Sequence, residues 1–438
     1  MSFRTRRRFR EYVRNSIWIV PALFAIAAIV TGLVFPDLDQ QTTATADVVQ
    51  LTPETARGLL GALAGGMITF TGFVFSILLL AVQFGSSQFS PRMLRRFLRD
   101  RTTKVALGMF IATFIYALLV LGSIGTTNEA DFVPVEAVQF AVVLLLLSMF
   151  MFLRLISKTT QGLRVATVLE DLGADARKMF DEVYPDPVTD PAAAGANVID
   201  STHDSAPSSV VPYREAPSVL QSIDVPGLVA QAVEHDVVIE LVPPIGTFLI
   251  DGEALFHVYG GSVDENHLAH SVATGDERTL SQDPGFAFRL LADISSKALS
   301  PGVNDPATAT QALDQIELLL RQIAQRRLTP GVAQDAEGRV RLHYPAPSWE
   351  DYVSLALAET RQYGEGSVQV SRRLHALLHG LREVAPPYRQ AAIDAELALL
   401  GSSVQRGFSD EIDRDAAGAE DRQGIGSPRR GAEVALSG

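Results

Sequence analysis

Four long apolar runs, separated by segments whose charge alternates in sign, leave few folds open to this chain. The runs cover about residues 17–35, 59–84, 105–124 and 132–153. A bilayer's hydrocarbon core is ~30 Å thick and a helix rises about 1.5 Å per residue, so roughly 20 apolar residues cross it. No charge falls between Arg57 and Arg92, and the fourth run holds only Glu136, near its outer end. The pattern predicts an α-helical membrane protein with four transmembrane helices in residues 1–160, followed by a C-terminal cytoplasmic α+β domain.

The flanks orient the spans. Arg4, Arg6, Arg7, Arg8, Arg10 and Arg14 precede the first run, and Arg92, Arg95, Arg96, Arg99, Arg101 and Lys104 lie between the second and third. Arg154, Lys158 and Arg164 follow the fourth, whereas acids dominate the other two loops. Basic residues collect on the cytoplasmic side, which predicts a multi-pass plasma-membrane (cytoplasmic-membrane) protein with both termini in the cytoplasm. The basic N-terminus resembles a signal peptide, but Phe35-Pro36-Asp37 makes a poor cleavage site, so an uncleaved anchor is expected.

Net charge sharpens the division. The whole chain carries −13, but residues 1–164 hold 16 basic and 9 acidic groups (+7), and the remainder 21 and 41 (−20). The two parts face different surroundings. The acidic part lacks the basic field of a nucleic-acid binder, so no nucleic-acid partner is expected. No cysteine occurs, which excludes disulfide scaffolds, thiolate metal sites and cysteine nucleophiles.

Ionisable groups are almost absent from the spans, which argues against a proton relay. A pathway lined by hydroxyls and carbonyls stays open. The second span is the most polar: Gly61 and Gly65 are a small-xxx-small pair, joined by Thr69, Thr71, Ser76 and Gln83. These residues suit helix packing or a pore-facing surface. After this span, Ser90–Asp100 reads as an amphipathic helix whose Arg92, Arg95, Arg96 and Arg99 meet lipid headgroups at the membrane surface.

Beyond the spans, residues 161–185 read as a helical stalk and the Pro/Ala/Asp/Ser-rich 186–209 as a linker. Residues 210–262 form a small β-rich module, with Asp251-Gly252 as a hairpin turn. Residues 276–406 are mostly helical, and 407–438 form a disordered tail. Within the helical part, Ser300-Pro301-Gly302 stops one helix and Asp305-Pro306 starts the next. Asp293, Ser300, Asn304, Asp305 and Thr308 are the ligand-binding candidates. Their oxygens suit a hard cation, the helix N-terminus suits an anion, and a capped helical corner would carry the same residues.

Two stretches together resemble a known family. One runs from Gly72-Phe73-Val74-Phe75-Ser76 through Ser86-Ser87-Gln88-Phe89-Ser90-Pro91-Arg92. The other is Asp293-Ile294-Ser295 followed by Ala298-Leu299-Ser300-Pro301-Gly302-Val303-Asn304-Asp305-Pro306-Ala307-Thr308-Ala309. Both are similar to a bacterial family of predicted membrane proteins, filed as a domain of unknown function. The resemblance implies the architecture and brings no activity.

All eight histidines lie beyond Val165; His267/His270 and His375/His379 have metal-compatible spacing but read as surface residues. No phosphate loop, dinucleotide fingerprint or nucleophile elbow occurs, so no enzyme, cofactor or metal is expected. Two functions fit. One is a homo-oligomeric ion channel or transporter, with an unidentified ion or small-molecule ligand and a cytoplasmic regulatory domain. The other is a non-conducting sensor or scaffold whose cytoplasmic domain binds a ligand or a partner protein.

Overall fold

Apolar residues sustained over whole helical lengths build the N-terminal unit. The computed structural model describes residues 16–42, 51–88, 100–124, 133–162, 164–188, 206–328 and 331–425. Its first four helices are α1 (Ile19–Thr42), α2 (Pro53–Gln88), α3 (Arg101–Ser123) and α4 (Val135–Gly162). Each is long and apolar enough to cross a membrane. The span of α3 is 50% buried, against 22%, 17% and 17% for α1, α2 and α4, so α3 is the centre of this unit.

Small residues let α1 and α3 approach. A Cβ on Gly108 would lie 2.9 Å from the Phe24 ring, and one on Gly32 would lie 3.0 Å from Leu119. Polar groups inside are matched: the Thr113 and Ser148 hydroxyls lie 2.8 Å apart, and the Tyr116 hydroxyl donates to the Ala137 carbonyl at 3.1 Å. Asp100 caps α3 through the Thr103 amide and accepts from Lys158 at 2.5 Å, tying the start of α3 to the end of α4.

From Val165 onward a second unit forms. Helix α5 (Val165–Val183) opens it. Val168, Leu169, Leu172, Ala176, Met179 and Phe180 are buried, in a seam of helical period facing later helices. The stalk expected over 161–185 is therefore corrected: α5 is a core element of the C-terminal unit. Phe180 and Tyr352 pack on Phe288 with ring centres 5.6 Å away in each case. The Tyr184 and Tyr352 hydroxyls pair at 2.8 Å.

The β part contains β1 (Ser209–Pro212), β2 (Ser218–Ile223), β3 (Val238–Leu241), β4 (Phe248–Leu249), β5 (Ala254–Tyr259) and β6 (Val272–Gly275), with helices α6 (Val225–Glu234) and α7 (Glu265–Ala269). Two further strands, β7 (Val332–Gln334) and β8 (Val340–His343), come from within the helical region. The five-stranded sheet has order β1-β5-β3-β8-β7, with β3 and β8 parallel; the three-stranded sheet has order β4-β2-β6. Two expectations are corrected here. The β module does not end at 262, because β6, β7 and β8 belong to its sheets. Asp251-Gly252 does not close a hairpin, because β4 pairs with β2 while β5 pairs with β1 and β3. That turn carries the chain from one sheet to the other. Ile239, Leu241, Phe256, Val258 and Leu342 share one core with Leu220, Ile223 and Leu228.

The helical part is α8 (Pro284–Ala298), α9 (Pro306–Ala324), α10 (Trp349–Tyr363), α11 (Val368–Val384), α12 (Gln390–Gly407) and α13 (Glu411–Gly418). Local caps set its starts: Asp283 before Pro284, Asp305 before Pro306, a Ser348/Asp351 capping box, and Ser367. Arg389 closes the far end of α9, donating to the Ile323 carbonyl at 2.6 Å and the Arg326 carbonyl at 3.0 Å. The tail expected to be disordered from 407 is ordered over its described part: Phe408 and Ala417 are buried beside Val404 and Val368.

Candidate functional site

The turn between α8 and α9 is built by its own side chains. Ser300 donates to the Lys297 carbonyl at 2.7 Å, and the Asn304 amide donates to the Ser300 carbonyl at 2.9 Å. Asn304 sits at φ +48°, a left-handed conformation that Asn tolerates better than most side chains. The Asp305 amide donates to the Ala298 carbonyl at 2.7 Å. Asp305 then caps α9, accepting from the Thr308 amide at 3.1 Å and its hydroxyl at 2.6 Å.

This arrangement is that of a capped helical corner. An anion at the α9 N-terminus would meet the Asp305 carboxylate already seated there. A cation would find both Asp305 oxygens already accepting hydrogen bonds. Ser300, Asn304, Asp305 and Thr308 are thus brought together as a capped helical corner. Asp305→Ala is expected to cost about 1 kcal/mol of stability, the usual loss of an N-cap, while Asn304→Gly is expected to cost little, since glycine accepts this φ. Thermal unfolding of the two variants checks this.

Asp293 does not join that corner. It accepts from Arg289 at 2.6 Å, one helical turn further from the corner. The same guanidinium donates both terminal nitrogens to Glu359 of α10. Arg289 bridges α8 and α10, and it holds the Glu359 carboxyl below its usual range. The Arg289–Asp293 spacing was visible in the chain; Glu359, 70 residues away, was not.

The second candidate surface lies on α2. Thr69 donates to the Gly65 carbonyl at 3.0 Å, Thr71 to Met67 at 2.7 Å, and Ser76 to Gly72 at 3.0 Å. Gly61, Gly65, Thr69, Gly72 and Ser76 are exposed and recur at three- and four-residue steps, and Gln83 follows seven residues on, two turns along the same side. They therefore form a stripe along one side of the helix. A Cβ on Gly58, Gly61, Gly65, Gly66 or Gly72 would meet nothing within 4 Å. Gly32 of α1 and Gly108 of α3 seat a neighbouring helix; these five seat none within the described residues. Beside the stripe, Leu59, Leu63, Gly66, Met67, Phe70 and Leu145 line a cavity of about 320 Å³ between α2 and α4.

The remaining candidates divide as follows. Arg92, Arg95, Arg96 and Arg99 lie outside the described residues. No group of three or more metal-ligating side chains occurs among the described residues. One polar cluster was not foreseen: on β3 and β5, Glu240 accepts from Tyr259 at 2.7 Å and lies 3.1 Å from His257 Nδ1. Alternation along the two strands would have placed these residues on one face, but only the strand register makes them neighbours.

Against known proteins, the family described as "Predicted membrane protein (DUF2254)" matches residues 14–380. The chain belongs to this family. Uncharacterized proteins of Mycobacterium bovis and Mycobacterium tuberculosis are each 30% identical to it over 423 residues, covering 93% of this chain and 80% of theirs. No solved structure matches. In this DUF2254 member the matched region takes in all four apolar helices, both sheets, the α8–α9 corner and most of α11. Helices α12 and α13 lie beyond it.

Proposed function

We propose that this protein is a homo-oligomeric ion channel of the plasma membrane, with α2 of each copy facing a shared axis and both termini in the cytoplasm. One observation carries the reading: the stripe of α2, small and polar along an otherwise apolar helix, has no neighbour among the described residues of its own chain. In lipid, close helix packing through small residues is a main source of association. The hydroxyls add a chemical preference. Thr69 and Ser76 donate their protons to their own helix, so the oxygen lone pairs are what they offer outward. Such a lining suits a cation better than an anion. The acidic C-terminal unit would gather cations on the cytoplasmic side and regulate access.

A non-conducting sensor or scaffold is the alternative, and one observation favours it: these hydroxyls are satisfied without water, so the same face can close dry between copies. The absence of native cysteine makes the test direct. Gly65→Cys and Ser76→Cys are expected to cross-link between copies in membranes on oxidation. Leu146→Cys, on α4 and 64% exposed, is not. Liposomes holding the purified protein should then pass monovalent cations. Cross-linking without flux supports the scaffold, and no preferential cross-linking at α2 sinks the shared axis.

A further inference from the structure

The cavity between α2 and α4 is a groove with an open side. Leu63 and Met67 form its floor and are buried, whereas Ala62, Gly66 and Met149 on its rim are exposed. It begins at Leu59, just inside the charge-free run that follows Arg57. It ends at Phe70, whose ring packs edge-on to Phe110 of α3 and Phe152 of α4, with centres 5.3 and 4.6 Å away. Phe152 follows Met149 by less than one helical turn, so this contact shuts the inner end.

The lining is hydrocarbon and thioether. Its one side-chain hydroxyl, on Ser148, is already paired with Thr113 at 2.8 Å. Water gains little from such walls, and apolar cavities of this kind take up apolar ligands instead. Met67 and Met149 adapt to an irregular partner. Both walls belong to helices long and apolar enough to cross a membrane. In a bilayer the open side of the groove therefore faces lipid chains.

Its dimensions narrow the occupant. From Leu59 to Phe70 is roughly 16 Å of helix, about half of a ~30 Å hydrocarbon core and so the depth of one leaflet. A volume of about 320 Å³ over that length leaves a cross-section of roughly 20 Å², the girth of one hydrocarbon chain and about a quarter that of a helix ~10 Å wide. We propose that the groove seats one acyl chain of a bilayer phospholipid, taken from the leaflet at the Arg57 end of α2, with its terminal methyl toward Phe70. The chain fills the space that holds α2 and α4 apart at Gly66, while Phe70 and Phe152 join them beyond it. The site needs α2 and α4 in a bilayer; it needs neither conduction nor assembly through α2.

Photolabelling of the full chain in phosphatidylcholine vesicles tests the site. The probe is a trace of phosphatidylcholine with a diazirine partway along one acyl chain, and labelled residues are read by peptide mass spectrometry. Leu63 and Met67 on the floor should take the label in the parent. Leu146, 64% exposed on α4, should take it from bulk lipid and shows that each variant is inserted. A Cβ on Gly66 meets nothing within 4 Å among the described residues, so Gly66→Phe has room to put its ring into the groove. It should lose the floor label and keep the one at Leu146. Ala62→Phe, which fills the groove from another rim position, should do the same. Gly72→Phe, on the stripe beyond the groove, should keep the floor label whether or not copies assemble. The site is overturned by a floor that takes no label in the parent, or by one labelled equally in Gly66→Phe and Ala62→Phe. Loss of the floor label in Gly72→Phe also overturns it, because the groove would then belong to the assembly and not to one chain.

Discussion

Glu396→Ala is expected to destabilise the C-terminal unit by about 3–5 kcal/mol, the usual cost of stranding one member of a buried ion pair. Glu396 of α12 and Arg361 of α10 are both buried, 3.3 Å apart, and Arg361 also donates to Ser403 at 3.3 Å. Removing the carboxylate leaves a guanidinium in the interior with one neutral hydroxyl for company. Replacing both residues by apolar side chains of similar volume, Arg361→Met with Glu396→Leu, should cost far less, because neither charge then needs desolvating. Trp349, buried with its indole N–H on the Arg389 carbonyl at 2.9 Å, reports the unfolding of this unit by fluorescence. Equal losses in the single and double variants would show that the charges themselves are not what matters.

Gly65→Leu is expected to leave the folded single chain intact and to abolish the proposed assembly through α2. Inside one copy a Cβ there meets nothing within 4 Å among the described residues. At a helix pair in close approach it would force the backbones apart, and close packing is what small residues provide there. Glycine also costs a helix roughly 1 kcal/mol against leucine-like residues, so the isolated chain gains helical stability as it loses partners. Size in detergent, measured by light scattering, separates the outcomes. An unchanged oligomer would place α2 against lipid. Gly108→Leu is the counter-case: its site is filled by Phe24, so that variant should fail at the level of folding.

What could be read from the chain was local. Apolar runs found α1 to α4, and the Asp305-Pro306 cap placed the start of α9, because each signal lies within a few residues of its effect. The partners of those elements were not legible. An amphipathic α5 has the same sequence pattern whether it stands alone or packs on α8 and α9. Asp251-Gly252 has the chemistry of a hairpin turn, yet Phe248 pairs with Val219 and not with β5. Likewise the corner residues lie together in the chain, while their hydrogen bonds to one another depend on backbone geometry that the sequence does not state. Asp293 was grouped with them by nearness in sequence; Arg289 and Glu359 hold it elsewhere.

The parallel pairing of β3 with β8 has a consequence for biosynthesis. Ile239 waits for Leu342, so roughly 100 residues must leave the ribosome before the central strand of the larger sheet gains its second neighbour, some seconds at usual elongation rates. Helices α8 and α9 emerge in that interval with α5 already available to receive them. The helical layer can therefore assemble first and hand a half-built sheet its last two strands. An mRNA cut short between β5 and β8 would yield a sheet whose β3 edge is unpaired, a ready target for aggregation or degradation.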